Sequence, residues 1–125
     1  MCLRRSSTRL AVSGAYDDFV RPGSGVIDRE FGPFENSSFR LDVSEQIDSG
    51  SDSWQLGAFA AHAIAADTEC ELGGEQCNTI IWLTGRADYD LNVGAISHIP
   101  EKVASSGEAF EKWRVAGAHV TLLEP

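Results

Sequence analysis

Residues 48–62 read Asp48-Ser-Gly-Ser-Asp-Ser-Trp-Gln-Leu-Gly-Ala-Phe-Ala-Ala-His62, a polar loop that turns abruptly into a small-residue helix. Asp52 is placed to cap that helix. Gln55, three residues on, completes an arrangement like a capping box, in which the later side chain reaches back to the N–H of the cap. Ser53 is then the first helical residue. It lies beside backbone N–H groups that have no partner inside the helix, at the positive end of the helix dipole. A developing oxyanion would be stabilised there. An ordinary capped helix start carries the same signature, so the remainder of the chain has to decide whether Ser53 does chemistry.

The helix is expected over residues 53–66. Leu56, Phe59, Ala60, Ala63 and Ile64 recur at the spacing of one buried face. Ser53 precedes Leu56 by three residues and so points towards that face. His62 falls off the stripe, more than two turns from the helix start, and is not expected to reach the Ser53 site. Upstream, residues 1–24 are expected to be loosely ordered, and residues 25–125 to form one domain. Val26–Phe31 and Phe39–Val43 are expected to pair as an antiparallel hairpin, the second alternating apolar and polar residues.

Composition narrows the function classes. Nineteen acidic residues against ten basic ones give a net charge of −9, which would repel a nucleic acid. No apolar run approaches the ~20 residues of a membrane span, and no apolar core follows Arg4, Arg5 and Arg9 as in a signal peptide. Three cysteines, Cys2, Cys70 and Cys77, fit neither a disulfide framework nor a usual zinc spacing, and point to a reducing compartment, the cytoplasm. No phosphate-binding GxxxxGK[ST] loop is present, and no cofactor or metal is expected. Asp88 and Asp90 are read as a solvated strand face, and Trp54, Trp82 and Trp113 as packing residues.

Downstream, Thr79-Ile-Ile-Trp-Leu83 suits a central strand covered on both faces. Residues 86–92 form a hairpin arm leading to the apolar segment 93–96. A tight turn follows at residues 97–99, and Pro100 opens a helix. Ser105-Ser-Gly107 interrupts that helix, Ser106 restarts it as a cap, and Gly117 closes it. His119–Leu123 is a last strand. The fold class is therefore α+β, a mixed β-sheet with two main helices packed on one face.

Taken in order, four segments carry a likeness: Phe39–Val43 with Ser51-Asp-Ser-Trp-Gln-Leu-Gly57; Ile80-Ile-Trp-Leu-Thr-Gly85; Val93-Gly-Ala-Ile-Ser-His-Ile-Pro-Glu-Lys102; and Ala116–Pro125. Residues 39–125 resemble the proteolytic domain of Lon-type proteases, of the ribosomal protein S5 domain 2-like fold. The resemblance implies a Ser–Lys dyad in which an un-ionised lysine takes the proton of the serine hydroxyl. The serine falls on Ser53. The third segment stands where the family has Val-x-Pro-x-Gly-Gly-x-Lys-Glu-Lys. Aligned through Glu101 and Lys102, the dyad lysine falls on Pro100, which has no base, and the two glycines fall on Ser97 and His98. Trp54-Gln55 replaces the family's Ala-Gly, and an indole there would crowd a substrate strand.

Two readings follow from the resemblance. In the first, the domain keeps the fold without peptidase chemistry and serves as an oligomerisation or regulatory module of a larger system. In the second, it is an active serine peptidase, ATP-independent or coupled to an ATPase, with Ser53 as nucleophile and Lys102 or His98 as a relocated base. Lys102 lies about 200° round the helix from position 100 and reaches Ser53 only if the turn is rebuilt. The partners implied are a protein or peptide substrate, an ATPase on another segment or chain, and further copies of the domain. The chain stops at its last expected strand, as a fragment cut at a domain boundary or a stand-alone module would.

Overall fold

The computed structural model describes residues 14–34, 52–67 and 78–125. Two short helices come first, α1 (Gly14–Val20) and α2 (Val26–Phe31). Residues 14–20 were expected to be loosely ordered and 26–31 to form a strand. Tyr16, Phe19 and Val20 instead place one apolar stripe at helical spacing, and Phe19 is only 1% exposed. Val26 and Ile27 are β-branched, which favours a strand locally, but both are buried against Phe19 and Ala87. Burying side chains of this size contributes about 1.5–3 kcal/mol each, more than their small helix penalty. Gly25 makes the corner between the two helices. A Cβ there would fall 2.6 Å from the Arg21 nitrogen and 2.8 Å from the Phe19 oxygen, so the turn admits only glycine. The expected strand at 39–43, and with it the hairpin, lies outside the described residues.

The helix α3 (Gln55–Ala66) follows, beginning two residues later than expected. Phe31 of α2 packs on Phe59 at a ring separation of 5.0 Å and stacks on His62 at 5.9 Å, which fixes α2 against α3. Trp54, in the turn before α3, meets Phe19 edge-on at 5.1 Å and Tyr16 at 5.2 Å. The indole is therefore turned into the core rather than towards a substrate strand.

Strand β1 (Thr79–Leu83) pairs in parallel with the last strand, β4 (His119–Leu123), in the register Thr79↔His119 to Leu83↔Leu123. A parallel pair needs a long crossover. It is supplied by β2 (Arg86–Ala87), β3 (Val93–Gly94), α4 (Ile99–Ser105) and α5 (Gly107–Val115), with β2 and β3 pairing antiparallel as a second sheet. The break at Ser106 and the end of α5 before Gly117, which takes φ 88°, match expectation, although Ser106 makes no side-chain cap bond. Trp82 meets Phe110 of α5 edge-on at 5.9 Å. Leu83, on the opposite face, lies beside Gly57 of α3. The two main helices therefore flank β1–β4 on opposite faces, not on one. Nor is β1 covered on both faces along its length, since Ile81 is 43% exposed. The result is a small α+β fold in which the described strands form two two-stranded sheets rather than a single mixed sheet.

The β2–β3 turn is tied to the first two helices. Arg29 of α2 lies over the Tyr89 ring at 4.4 Å and donates to the Tyr89 carbonyl at 2.6 Å, while the Tyr89 hydroxyl donates to the Ser24 carbonyl at 3.3 Å. Among the described residues no helix is long and apolar enough to cross a membrane.

Candidate functional site

Ser53 sits in the turn that leads into α3, half-buried, and it is the backbone around it that fixes its place. The Gly85 N–H donates to the Ser53 carbonyl at 3.2 Å, and the Leu56 N–H donates to the Gly85 carbonyl at 3.3 Å. Gly85 thus clasps the start of α3 from both sides. The approach is close: a Cβ at position 85 would fall 2.7 Å from Leu56 Cδ2 and 2.9 Å from Pro125 Cγ, so both side chains would have to shift. The Gln55 N–H is also engaged, by the Asp52 carbonyl at 3.1 Å.

This changes the expected chemistry. The leading N–H groups of α3 were expected to be open to an oxyanion, yet those of Gln55 and Leu56 already donate to backbone carbonyls. The capping box is also not formed. Gln55 is 4% exposed, and its Oε1 accepts from the Ala87 N–H at 3.2 Å, joining α3 to β2 instead of reaching back to Asp52. Trp54, not Asp52, holds the cap position of α3, and the Asp52 Oδ1 is buried with no hydrogen-bond partner among the described residues.

Ser53, His98 and Lys102 nonetheless line one cavity. A cavity of about 370 Å³ opens between the turn before α3 and the corner joining β3 to α4, and Asp52, Ser53, Arg86, Ser97, His98 and Lys102 line it. The topology accounts for this: the β2–β3 hairpin hangs from Gly85 and returns the chain to the head of α3 just before α4 begins. His98 caps α4 in a left-handed conformation, φ 63°, a region where histidine is among the few enriched side-chain types. Its side chain is 74% exposed, with Nδ1 4.0 Å from a Glu101 carboxylate oxygen. Pro100 occupies the first turn of α4, as its fixed φ favours. Lys102 is half-buried, and its N–H donates to the His98 carbonyl at 3.0 Å.

Sequence reasoning passed over Arg86. It opens β2 directly after the Gly85 clasp, opposite Gly94 of β3. A Cβ at Gly94 would fall 3.4 Å from Arg86 Nε and 3.5 Å from Nη2, so the guanidinium lies against the bare β3 backbone. The available signal was a lone arginine between a Thr-Gly strand end and an acidic turn. Asp88, in that turn, accepts from the Asn92 side chain at 3.1 and 3.2 Å and from the N–H groups of Asn92 at 2.9 Å and Asp90 at 3.0 Å. The Asn92 bonds foremost, with the Asp90 N–H and the more distant Arg86 charge, hold its carboxyl below the usual carboxylate range. Asp88 thus closes a turn. Among the described residues no group of three or more metal-ligating side chains is assembled. Comparison with protein families, with curated proteins and with solved structures finds no match.

Proposed function

We propose that this chain is a domain of Lon-type proteolytic, S5 domain 2-like character that has set aside peptidase chemistry and works as a binding or assembly module of a larger, cytoplasmic system. The observation that carries the reading is the Gly85 clasp. With the Leu56 N–H donating to the Gly85 carbonyl and the Gln55 N–H to the Asp52 carbonyl, two of the leading amides beside Ser53 are closed to a tetrahedral oxyanion. Losing one oxyanion donor costs about 10²–10³ in kcat in serine hydrolases. Pro100 stands where the resemblance calls for the dyad amine. His98 adopts a left-handed φ of 63° at one of the positions where the family has glycine, which supports the likeness of this corner. Ile81 and Leu123 lie on the face of β1–β4 that α3 flanks, yet both remain exposed, as the edge of an assembly surface would have them.

The partners this reading implies are a protein or peptide ligand at the cavity, an ATPase on another segment or chain, and copies of the domain itself. A serine-reactive fluorophosphonate probe and a casein substrate test it. The expected result is neither adduct nor cleavage, with Ser53→Ala behaving as the parent chain. An adduct on Ser53 that disappears in Ser53→Ala would overturn it. The second reading, an active serine peptidase, draws on one observation: Ser53, Lys102 and His98 line the same cavity.

A further inference from the structure

Three of the six basic side chains described in this acidic chain are neutralised, and Lys112 makes no ion pair among the described residues and lies outside the Ser53 cavity. Arg21 pairs with Asp17 and Asp18, Arg29 with Glu30 and Arg114 with Glu111. Arg86 and Lys102 make no ion pair among the described residues, and both line the cavity beside Ser53. Two cations facing one open cavity, Arg86 exposed and Lys102 half-buried, repel each other and gain from an anion placed between them. Ser53, Ser97 and His98 add hydrogen-bonding groups around the same space. The Arg86 guanidinium lies beside Gly94 of β3, and its planar fork matches a carboxylate or phosphate in two parallel bonds.

We propose that this cavity binds a carboxylate group, with Arg86 as its orienting contact and Lys102 as the second charge. The proposal rests on reading the Ser53 cavity as a binding site, and it names the class of ligand. Asp52 decides between oxyanions. Its carboxylate forms part of the same wall, which leaves a net charge of about +1 for a carboxylate to neutralise, whereas a phosphate dianion gains attraction in proportion to its charge but loses hydration in proportion to its square. Size adds a further constraint. A volume of about 370 Å³ is many times the ~30 Å³ share of one water, so the carboxylate arrives on a larger body, a small organic acid or a chain end.

Titration calorimetry of the whole chain tests this with N-acetylglutamate, a neutral tripeptide with a free C-terminal carboxylate, the same tripeptide amidated, and inorganic phosphate. The expected result is binding of N-acetylglutamate or the free tripeptide, which separates the two sources, with no binding of the amidated peptide. Arg86→Gln then weakens the bound acid about tenfold or more, as the loss of a charge-assisted hydrogen bond does. Lys102→Gln, which removes the second charge, weakens it several-fold; should Arg86→Gln fail to fold, Lys102→Gln decides alone. The proposal is overturned if neither carboxylate binds, if phosphate binds more tightly than both, if the amidated peptide binds equally well, or if neither substitution changes the affinity. A fluorophosphonate adduct on Ser53 alongside intact carboxylate binding removes only the non-catalytic reading. Absent carboxylate binding with no adduct removes only this one.

Discussion

Replacing Gln55 with methionine isolates the bond that anchors the head of α3 to β2. Gln55 is 4% exposed, and its Oε1 accepts from the N–H of Ala87, itself 3% exposed. Methionine matches the side chain in length and flexibility, so little cavity forms, but the Ala87 N–H is left buried without an acceptor. An orphaned buried donor costs about 1–3 kcal/mol. Relief from burying the glutamine amide offsets part of that, leaving an expected loss of about 1–2 kcal/mol. For a chain of 125 residues each kcal/mol moves the midpoint by about 4 °C, so the Tm should fall by about 4–8 °C in a circular dichroism melt. Gln55→Glu adds a pH signature. The carboxylate keeps an acceptor for Ala87, but burial raises its folded pKa above the unfolded value of ~4.3. Below that value both states hold the neutral acid. As pH rises through it the unfolded chain ionises first, so this variant loses stability with rising pH while the parent does not. A Gln55→Met midpoint within about a degree of the parent would refute the claim that this hydrogen bond holds α3 to β2.

Two further substitutions probe the corner and the turn. His98→Gly should raise stability by up to ~1 kcal/mol, because glycine takes the left-handed φ of 63° without the penalty a side chain incurs; a Tm that falls instead counts against that backbone geometry. Asp88→Ala should destabilise in a pH-dependent way. The folded carboxyl is held below its usual range by Asn92 foremost, so its contribution is complete above the unfolded pKa of ~3.9 and is lost as pH falls through the lower folded value. Melts from neutral pH downwards should show the gap between parent and variant closing below that window, and a gap that does not change with pH would contradict it.

Some of this was legible in the sequence because local and tertiary preferences agree. The apolar spacing from Leu56 to Ile64 marked α3, the run Ile80–Leu83 marked β1 and Gly117 marked the end of α5, whereas the arm expected over 86–92 is a strand only at Arg86–Ala87, with Asp88 and Asp90 in the turn rather than on a strand face. The two N-terminal helices were not legible from propensity. Val26 and Ile27 favour a strand on their own, and only their burial against Phe19 makes them helical. The helical spacing of Tyr16, Phe19 and Val20 was present but short. Placing α3 and α5 on one face failed because it ignored alternation along β1, which turns Trp82 to α5 and Leu83 to α3. The cavity residues Ser53, His98 and Lys102 were named beforehand. Arg86 was not, since its role depends on a cross-strand glycine eight residues away. The capping box at Asp52 and Gln55 misled for a similar reason: a β-strand amide competes for the glutamine and wins.

The central claim is that Gly85 closes the head of α3, and it is tested most directly by hydrogen exchange at the Leu56 amide, followed residue by residue in NMR spectra. Amides in the first turn of a helix ordinarily have no intrahelical acceptor and exchange readily. A bond to the Gly85 carbonyl predicts a Leu56 amide as protected as those in the middle of α3, such as Ala60. Exchange at the rate of an unstructured chain would contradict the account, for it would mean that this N–H stands open beside Ser53 and is free to receive an oxyanion.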